Sequence, residues 1–563
     1  MRTTLIAVLT ALLTAPLSPA PLSPAPLLPA PLLPAPLLPA PLLPVPASAQ
    51  QSPEAGAGTA DKPVPEHLLR QRIDWTPCAE PDLAGLECGA YRAPRDWTTP
   101  KDARTITIAV SRLRNDGATR SVLTNPGGPG GQGRFTPLML QSRQRLVDSA
   151  ELIGFDVRGT GASTNLTCGN LDWELVADPR DRSRPNVKRL YDAAELQAQA
   201  CQTLSGDLHR VVNTEQTARD LDLLRHLLGR DRIDWVGYSS GSWLGAHYTA
   251  LFPRRVGRFV LDSNPDLTAT FQTMFHDYFA QAFQRRFDVD YLPWIAKHHD
   301  TYGLGRTPEE VRRVYEAVRA KLAEAPLPLP NGTTLDTIAF DRAMFRTQYR
   351  KLLFPLVTPD LADLARLLGV VSSSKAQQPN PPAPDALTEL HALTELTRRY
   401  PDAETATLFA VACNDTPFHG NRKTLARDAE RTGTRYPFFG YHQLLAPCAF
   451  WPRPELTLPK PTGEGAPPIL MVQSERDPAT PIEGAQKSHK ALKNSRMLTV
   501  QDEGDHGMYA VANNPCVDQA VESYLVDGTT PPQDLTCPGM PLPAPADLGE
   551  AVMLPFLPIG SPL

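Results

Sequence analysis

The chain has 563 residues, a formal charge of −5, 41% hydrophobic and 21% charged residues, the balance of a globular chain that buries a core. That weakly acidic charge excludes a generally basic nucleic-acid binder. Beyond the N-terminus no run of about 20 apolar residues suits stable membrane insertion. Proline is the outlier at 60 residues, about double the usual ~5%.

Much of that excess lies in the first 49 residues. Met1-Arg2 is followed by the mostly apolar Thr3 to Ala15, and then by six copies of A-P-L-[S/L]-P from Ala15 to Pro44. Paired prolines forbid a helix there, because each lacks an N–H and clashes with the preceding turn. Ala47-Ser48-Ala49 supplies an A-x-A cleavage site. The reading is a signal peptide with a Pro-rich repeat over 1–49, a flexible tether over 50–65 and a secreted mature protein.

Cysteine usage agrees with export. The eight cysteines, Cys78, Cys88, Cys168, Cys201, Cys413, Cys448, Cys516 and Cys537, form four neighbouring pairs along the chain. Eight cysteines allow about 105 full pairings, so sequence leaves the connectivity open. Neighbour pairing (78–88, 168–201, 413–448, 516–537) is the expectation. Neither C-x-x-C nor zinc-finger spacing occurs, which argues against a metal site.

Past the tether the periodicity alternates between strand and helix, the pattern of an α/β sheet covered by helices. Strands are expected at Thr105–Leu113, Ser121–Thr124, Leu152–Phe155, Ile233–Val236, Arg258–Leu261, Ile469–Val472 and Met497–Val500. Asn213–Leu228 reads as an amphipathic helix. Between Asp262 and about Ala410 the strand rhythm stops. Helices are expected at Phe271–Phe283, Pro308–Ala325, Phe340–Phe354 and Ala386–Arg399, with Pro-rich connections. The expected layout is a first core half over 66–265, a helical cap insertion over 266–410, a second core half over 411–540 and a tail over 541–563.

Gly237-Tyr238-Ser239-Ser240-Gly241 is a G-x-S-x-G match between a strand and a helix. That context is what a nucleophile elbow requires: the glycines permit a tight turn that projects Ser239 at a helix N-terminus. A serine hydroxyl needs a base, and the base an orienting acid. Asp477 follows a strand and precedes a Pro-started helix, with Glu475 as the competing acid; His506 lies in a Gly-flanked loop after the next strand. Ser239, Asp477 and His506 therefore stand in the chain order of an α/β-hydrolase triad. Asn125 to Gly133 is a Gly-rich loop after a strand, suited to oxyanion donors near Gly128, Gly130 and Gly131, with the Ser240 N–H as the second donor. It has no lysine and no G-x-x-x-x-G-K-[S/T] pattern, which argues against a nucleotide phosphate site. His298-His299-Asp300 lacks the spacing to converge on a metal, and His226 and His247 read as structural. No cofactor is called for.

Together, Asn125-Pro-Gly-Gly-Pro-Gly-Gly131, Asp156-Val-Arg-Gly-Thr-Gly-Ala-Ser163, Gly237 to Ser242, Asp477-Pro-Ala-Thr-Pro481 and His506-Gly507 resemble the secreted actinobacterial tripeptidyl aminopeptidases. These are serine peptidases of the α/β-hydrolase fold, related to prolyl aminopeptidases. The resemblance runs from about Trp75 to Cys537, including Ala412 to Asp415 and Cys448 to Pro452. It implies a mostly parallel central sheet with a large helical cap. It also implies release of short peptides from free N-termini of peptides or proteins, with Ser239 as nucleophile, Asp477 as orienting acid and His506 as base. Ser240 stands where the family usually has Tyr, and Gln132 where Ser is common. An exopeptidase also needs a carboxylate for the substrate's α-ammonium, and the sequence does not name it. The competing expectation is a carboxylesterase or lipase using the same triad.

Overall fold

The structure, a computed structural model, describes residues 64–329, 333–372 and 390–545. The expected signal segment, the tether as far as residue 63, the start of the expected helix Ala386–Arg399 and residues 546–563 of the tail lie outside the described residues.

A ten-stranded sheet organises the described residues. Its strands are β1 (Thr76–Pro77), β2 (Glu87–Pro94), β3 (Thr105–Leu113), β4 (Ser121–Asn125), β5 (Glu151–Phe155), β6 (Ile233–Tyr238), β7 (Val256–Asp262), β10 (Ile469–Ser474), β11 (Ser495–Gln501) and β12 (Leu535–Pro538). A separate antiparallel pair is formed by β8 (Leu327–Pro328) and β9 (Thr334–Leu335). The sheet order is β1-β2-β3-β5-β4-β6-β7-β10-β11-β12. The pairs from β1 to β5 run antiparallel, and every pair from β5 to β12 runs parallel. The chain thus has the α/β-hydrolase fold.

The expected strands all form, each extended by a few residues at most. The central ones read as continuous apolar runs because they are buried on both faces. Leu123, Ile153, Trp235, Phe259 and Met471 enter one core, while their neighbours Val122, Leu152, Val236, Val260, Leu470 and Val472 enter the other. Trp235 lies 6.0 Å, centroid to centroid, from both Phe155 and Phe259. The expected helix over 213–228 spans Thr214–Leu227, capped by the Asn213 side chain, which accepts from the Gln216 N–H.

The chain between β7 and β10 is mostly helical, with Phe279–Arg286, Pro308–Glu324, Thr337–Thr347, Phe354–Leu367, Asp402–Asp415 and Arg422–Arg435 as its main helices. The expected boundary at 410/411 falls inside the helix Asp402–Asp415, and the sheet resumes only at Ile469. The expected helix Phe340–Phe354 is two helices instead. It breaks after Thr347, and Arg350 is extended with φ −142° and ψ 126°. The backbone groups at the break serve a distant loop: Tyr349 O accepts from the His506 N–H at 2.9 Å, and the Lys351 N–H donates to Asp505 Oδ1 at 2.7 Å.

Four disulfides join Cys78–Cys88, Cys168–Cys201, Cys413–Cys448 and Cys516–Cys537, the neighbour pairing. Among the described residues no helix is long and apolar enough to cross a membrane.

Candidate active site

Strands β4, β6, β10 and β11 are parallel, so their carboxyl ends share one edge of the sheet, where open α/β sheets build their sites. The loops leaving those ends carry the Gly-rich segment, Ser239, Asp477 and His506.

Ser239 has φ 56° and ψ −124°, a conformation that costs about 1–3 kcal/mol for a residue with a side chain. The turn is held by backbone bonds: the Ser239 N–H donates to Asp262 O at 2.9 Å, and the Ser242 N–H to Ser239 O at 2.9 Å. Two glycines make it possible. A Cβ at Gly237 would sit 2.3 Å from Trp235 Nε1, and one at Gly241 2.6 Å from Asn125 O.

Asp477 is fully buried. Its Oδ1 accepts from the Ala479 and Thr480 N–H groups at 2.8 Å each, and its Oδ2 from Thr480 Oγ1 at 2.9 Å. His506 Nδ1 lies 2.9 Å from both carboxylate oxygens. That contact fixes the tautomer: Nδ1 carries the proton, and Nε2 is free to accept one. Glu475 is exposed, its carboxylate accepting from the Asp502 N–H at 2.8 Å, so Asp477 is the acid that meets the imidazole. Nε2 is buried and makes no hydrogen bond, so the contact to Ser239 Oγ is not formed in this structure.

The loop carrying His506 is clamped from several elements. Asp262, at the end of β7, accepts from the Met508 and Tyr509 N–H groups at 3.0 and 2.7 Å. Burial pushes its carboxyl up to about 6, against the pull of those backbone N–H groups. The Gly507 N–H donates to Ser263 Oγ at 2.7 Å. From the helical segment, Arg286 pairs with Asp505 at 2.8 Å, Lys351 pairs with Glu503, and Arg350 Nη1 donates to His506 O at 3.1 Å. Sequence reasoning passed over Asp262, Ser263, Arg286 and Tyr349 to Lys351. Only the Asp-Ser pair ending a strand carried a local signal.

In the Gly-rich loop the Gly127 N–H donates to Asn125 Oδ1 and the Gly131 N–H to Gly127 O, both at 3.0 Å. Gly131 is therefore not available as an oxyanion donor, a correction to the expectation. A Cβ at Gly130 would lie 2.9 Å from Thr407 Cβ and 3.0 Å from Glu404 O. Gly128 instead borders the hollow lined by Ser239 and Ser240, and its carbonyl accepts from Ser240 Oγ at 3.1 Å.

Two hollows open beside Ser239 and His506. One is lined by Ser239, Gly128, Phe271, Phe275 and Thr480. The other, with about 760 Å³ of empty space including its open mouth, is lined by His506, Tyr238, Met139, Leu353, Arg346 and Tyr400. Tyr349 lines both. Beyond the Gly-rich loop, Glu404 Oε1 accepts from Gln132 Nε2 at 2.7 Å. His298, His299 and Asp300 are elsewhere: His298 packs on Trp294, His299 Nδ1 accepts from the Gly305 N–H and Asp300 pairs with Arg306. His226 Nε2 meets Leu69 O at 3.2 Å. His247 Nδ1 meets Trp243 O at 2.9 Å, and burial pushes its imidazole down to about 4.

Comparison with known proteins agrees with this layout. Residues 120–317 match the family model described as alpha/beta hydrolase fold, and residues 436–537 the one described as TAP-like protein. The chain is 33% identical over 511 residues to a tripeptidyl aminopeptidase of Streptomyces coelicolor, covering 84% of this chain and 88% of that one. It is 28% identical to the serine protease Hip1 of Mycobacterium tuberculosis, covering 84% and 92%. It is also 28% identical to carboxylesterase B of the same species, covering 87% and 94%. With Ser239, Asp477 and His506 carried at one edge of the sheet and a relative 33% identical over 84% of the chain, the chain belongs to the tripeptidyl aminopeptidase family, serine peptidases of the α/β-hydrolase fold.

Proposed function

We propose that this protein is a secreted serine exopeptidase that releases short peptides, tripeptides foremost, from free N-termini of peptides and proteins. The observation that carries the reading is the buried Asp477–His506 pair at 2.9 Å, placed at the same sheet edge as the strained elbow of Ser239. His506 Nε2 accepts the Ser239 hydroxyl proton as Oγ attacks the scissile carbonyl. The tetrahedral oxyanion forms between the N–H groups of Gly128 and Ser240. The proton then passes from Nε2 to the leaving amine, and an ester between Ser239 and the peptide remains. Water, deprotonated by the same nitrogen, attacks that ester and frees the peptide and the serine. Asp477 keeps its charge throughout and stabilises the imidazolium. The Ser239–His506 bond must form when substrate is bound; catalytic hydrogen bonds commonly tighten only then.

Four disulfides suit an oxidising compartment, which supports export. The helical segment between β7 and β10 acts as a cap, since Tyr349, Arg346 and Tyr400 close the hollow beside His506. Apolar lining and a 28% identical carboxylesterase favour ester hydrolysis as the second reading. Free and N-acetylated tripeptide anilides separate the two. The exopeptidase hydrolyses the free amine far faster, whereas equal rates on both overturn it.

A further inference from the structure

Asp262 and Ser263, at the end of β7, are polar and fully buried, and the proton transfers at His506 use neither. Their bonds nevertheless run to all three segments that carry Ser239, Asp477 and His506. Toward the elbow, Asp262 O accepts from the Ser239 N–H at 2.9 Å and from Ser242 Oγ at 2.8 Å. Toward β10, the strand that leads into Asp477, the Ser263 N–H donates to Val472 O at 2.9 Å. Toward the His506 loop, Ser263 Oγ accepts from the Gly507 N–H at 2.7 Å. The Asp262 carboxylate accepts from the next two, the Met508 and Tyr509 N–H groups, at 3.0 and 2.7 Å. Three consecutive N–H groups directly after His506 are thus held by one pair of side chains.

Two features set this pair apart from an ordinary strand end. Ser263 has φ 56°, a left-handed conformation that is unfavourable for a residue with a side chain and persists only where its surroundings over-determine it. Its hydroxyl donates to Asp262 Oδ1 at 3.1 Å while accepting from Gly507, so the two side chains meet the loop as one acceptor group. The second feature is the charge. A buried carboxylate is tolerated only when its oxygens are bonded, and the His506 loop supplies the N–H groups that do this. An amide of the same shape would turn an N–H toward an N–H. Tyr238 adds a parallel tie, since the residue before Ser239 donates from its hydroxyl to Tyr509 O at 2.9 Å.

We propose that Asp262 and Ser263 are positioning residues that fix where the His506 imidazole stands relative to Ser239, gripping the elbow through backbone and the His506 loop through side chains. This rests on the reading of Ser239 as nucleophile and His506 as base, and it gives neither positioning residue a contact with substrate. Asp477 sets the tautomer and the orientation of the ring. Asp262 and Ser263 set its distance from the hydroxyl, and a misplacement of about 1 Å between reacting groups costs about 100-fold in rate.

The test measures kcat and KM on a free tripeptide anilide, the fluorophosphonate labelling rate, and the downfield proton resonance of the Asp477–His506 hydrogen bond, all on the full chain. Labelling that survives Ser239→Ala overturns the triad reading itself. With labelling lost in that variant, Asp262→Asn lowers kcat and the labelling rate together by about 10–100-fold. It leaves KM unchanged and keeps the downfield resonance, because the acid–base pair is intact and only its register with the serine is lost. A merely structural role lowers the yield of folded enzyme and leaves the folded fraction labelling at the wild-type rate, which overturns the proposal. Loss of the resonance also overturns it, since Asp262 then acts through the Asp477–His506 pair. Should Asp262→Asn fail to fold, Ser263→Ala decides. It frees only the Gly507 N–H and slows labelling by about 3–10-fold, the size of one neutral hydrogen bond; a wild-type rate there overturns the proposal.

Discussion

The elbow of Ser239 and the loop of His506 are built in opposite ways. The elbow is local: two glycines, a strained φ of 56° and backbone bonds to Ser242 and the end of β7 hold it. The His506 loop is held at long range, by Asp262 and Ser263 from the sheet and by Arg286, Tyr349, Arg350 and Lys351 from the helical segment. Ser239, the proposed nucleophile, therefore belongs to the sheet alone, whereas His506, the proposed base, belongs jointly to the sheet and to the helical segment between β7 and β10.

The largest expected effect removes the chemistry without touching either scaffold. Ser239→Ala abolishes turnover and fluorophosphonate labelling. Asp477→Asn lowers kcat by about 10⁴-fold through the wrong imidazole tautomer. Both keep the wild-type melting temperature within a degree or two, which differential scanning fluorimetry checks; a collapse of Tm in Ser239→Ala means the serine was structural.

Next comes the cap side of the comparison. Arg286 is 1% exposed and pairs with Asp505 and Asp290. Arg286→Met removes one cation from each acid and leaves Asp290 with Arg476 at 3.0 Å and Asp505 with Arg350 at 3.6 Å, so the cost stays below the about 3–5 kcal/mol of a fully orphaned buried charge. The same variant slows fluorophosphonate labelling, because the loop presenting His506 loses an anchor while the elbow keeps all of its own. Labelling at the wild-type rate in the folded variant breaks the distinction drawn here. A smaller effect is expected from the disulfide that ties the helix Asp402–Asp415 to Cys448. Cys413→Ala with Cys448→Ala costs about 2–5 kcal/mol, seen as a lower denaturation midpoint in urea with the slope little changed.

The same contrast explains what could be read from the sequence. Short apolar runs ending in turn residues marked β4, β6, β7, β10 and β11, because strands buried on both faces have no other composition. Ser239, Asp477 and His506 each sit at the end of such a run, so order and context located them. Tyr349 to Lys351 could not be found that way. Periodicity favoured one helix over 340–354, and the break is imposed by backbone bonds to Asp505 and His506, more than 150 positions away. Glu404 meeting Gln132 across 272 positions is likewise a product of tertiary packing. Gly131 shows the limit inside a motif: glycine content predicts close approach, but the loop's own Gly131–Gly127 bond decides which N–H remains for a substrate.

The smallest effect expected concerns the floor beneath the cap. Glu174 has a carboxyl oxygen that is buried without a hydrogen-bond partner, beside Asp172 and close to Arg342 of the helix that leads into Tyr349. Burial, with the Asp172 charge adding to it, pushes its carboxyl up to about 8 from 4.5. A carboxyl raised in the folded state holds its proton longer there than in the unfolded chain. Its contribution is therefore fully present below about pH 4.5 and is lost progressively as pH rises through 8. Glu174→Gln mimics the protonated acid at every pH. The variant should melt with wild type at pH 5 and a few degrees above it at pH 9, the gap opening between pH 5 and 8 and then levelling. Because Glu174 touches the cap and not the elbow, the wild-type fluorophosphonate rate should also fall more steeply above pH 8 than the variant's. A gap in Tm that is constant from pH 5 to 9 means the acid is ionised throughout, and the cap floor then has no part in the pH response.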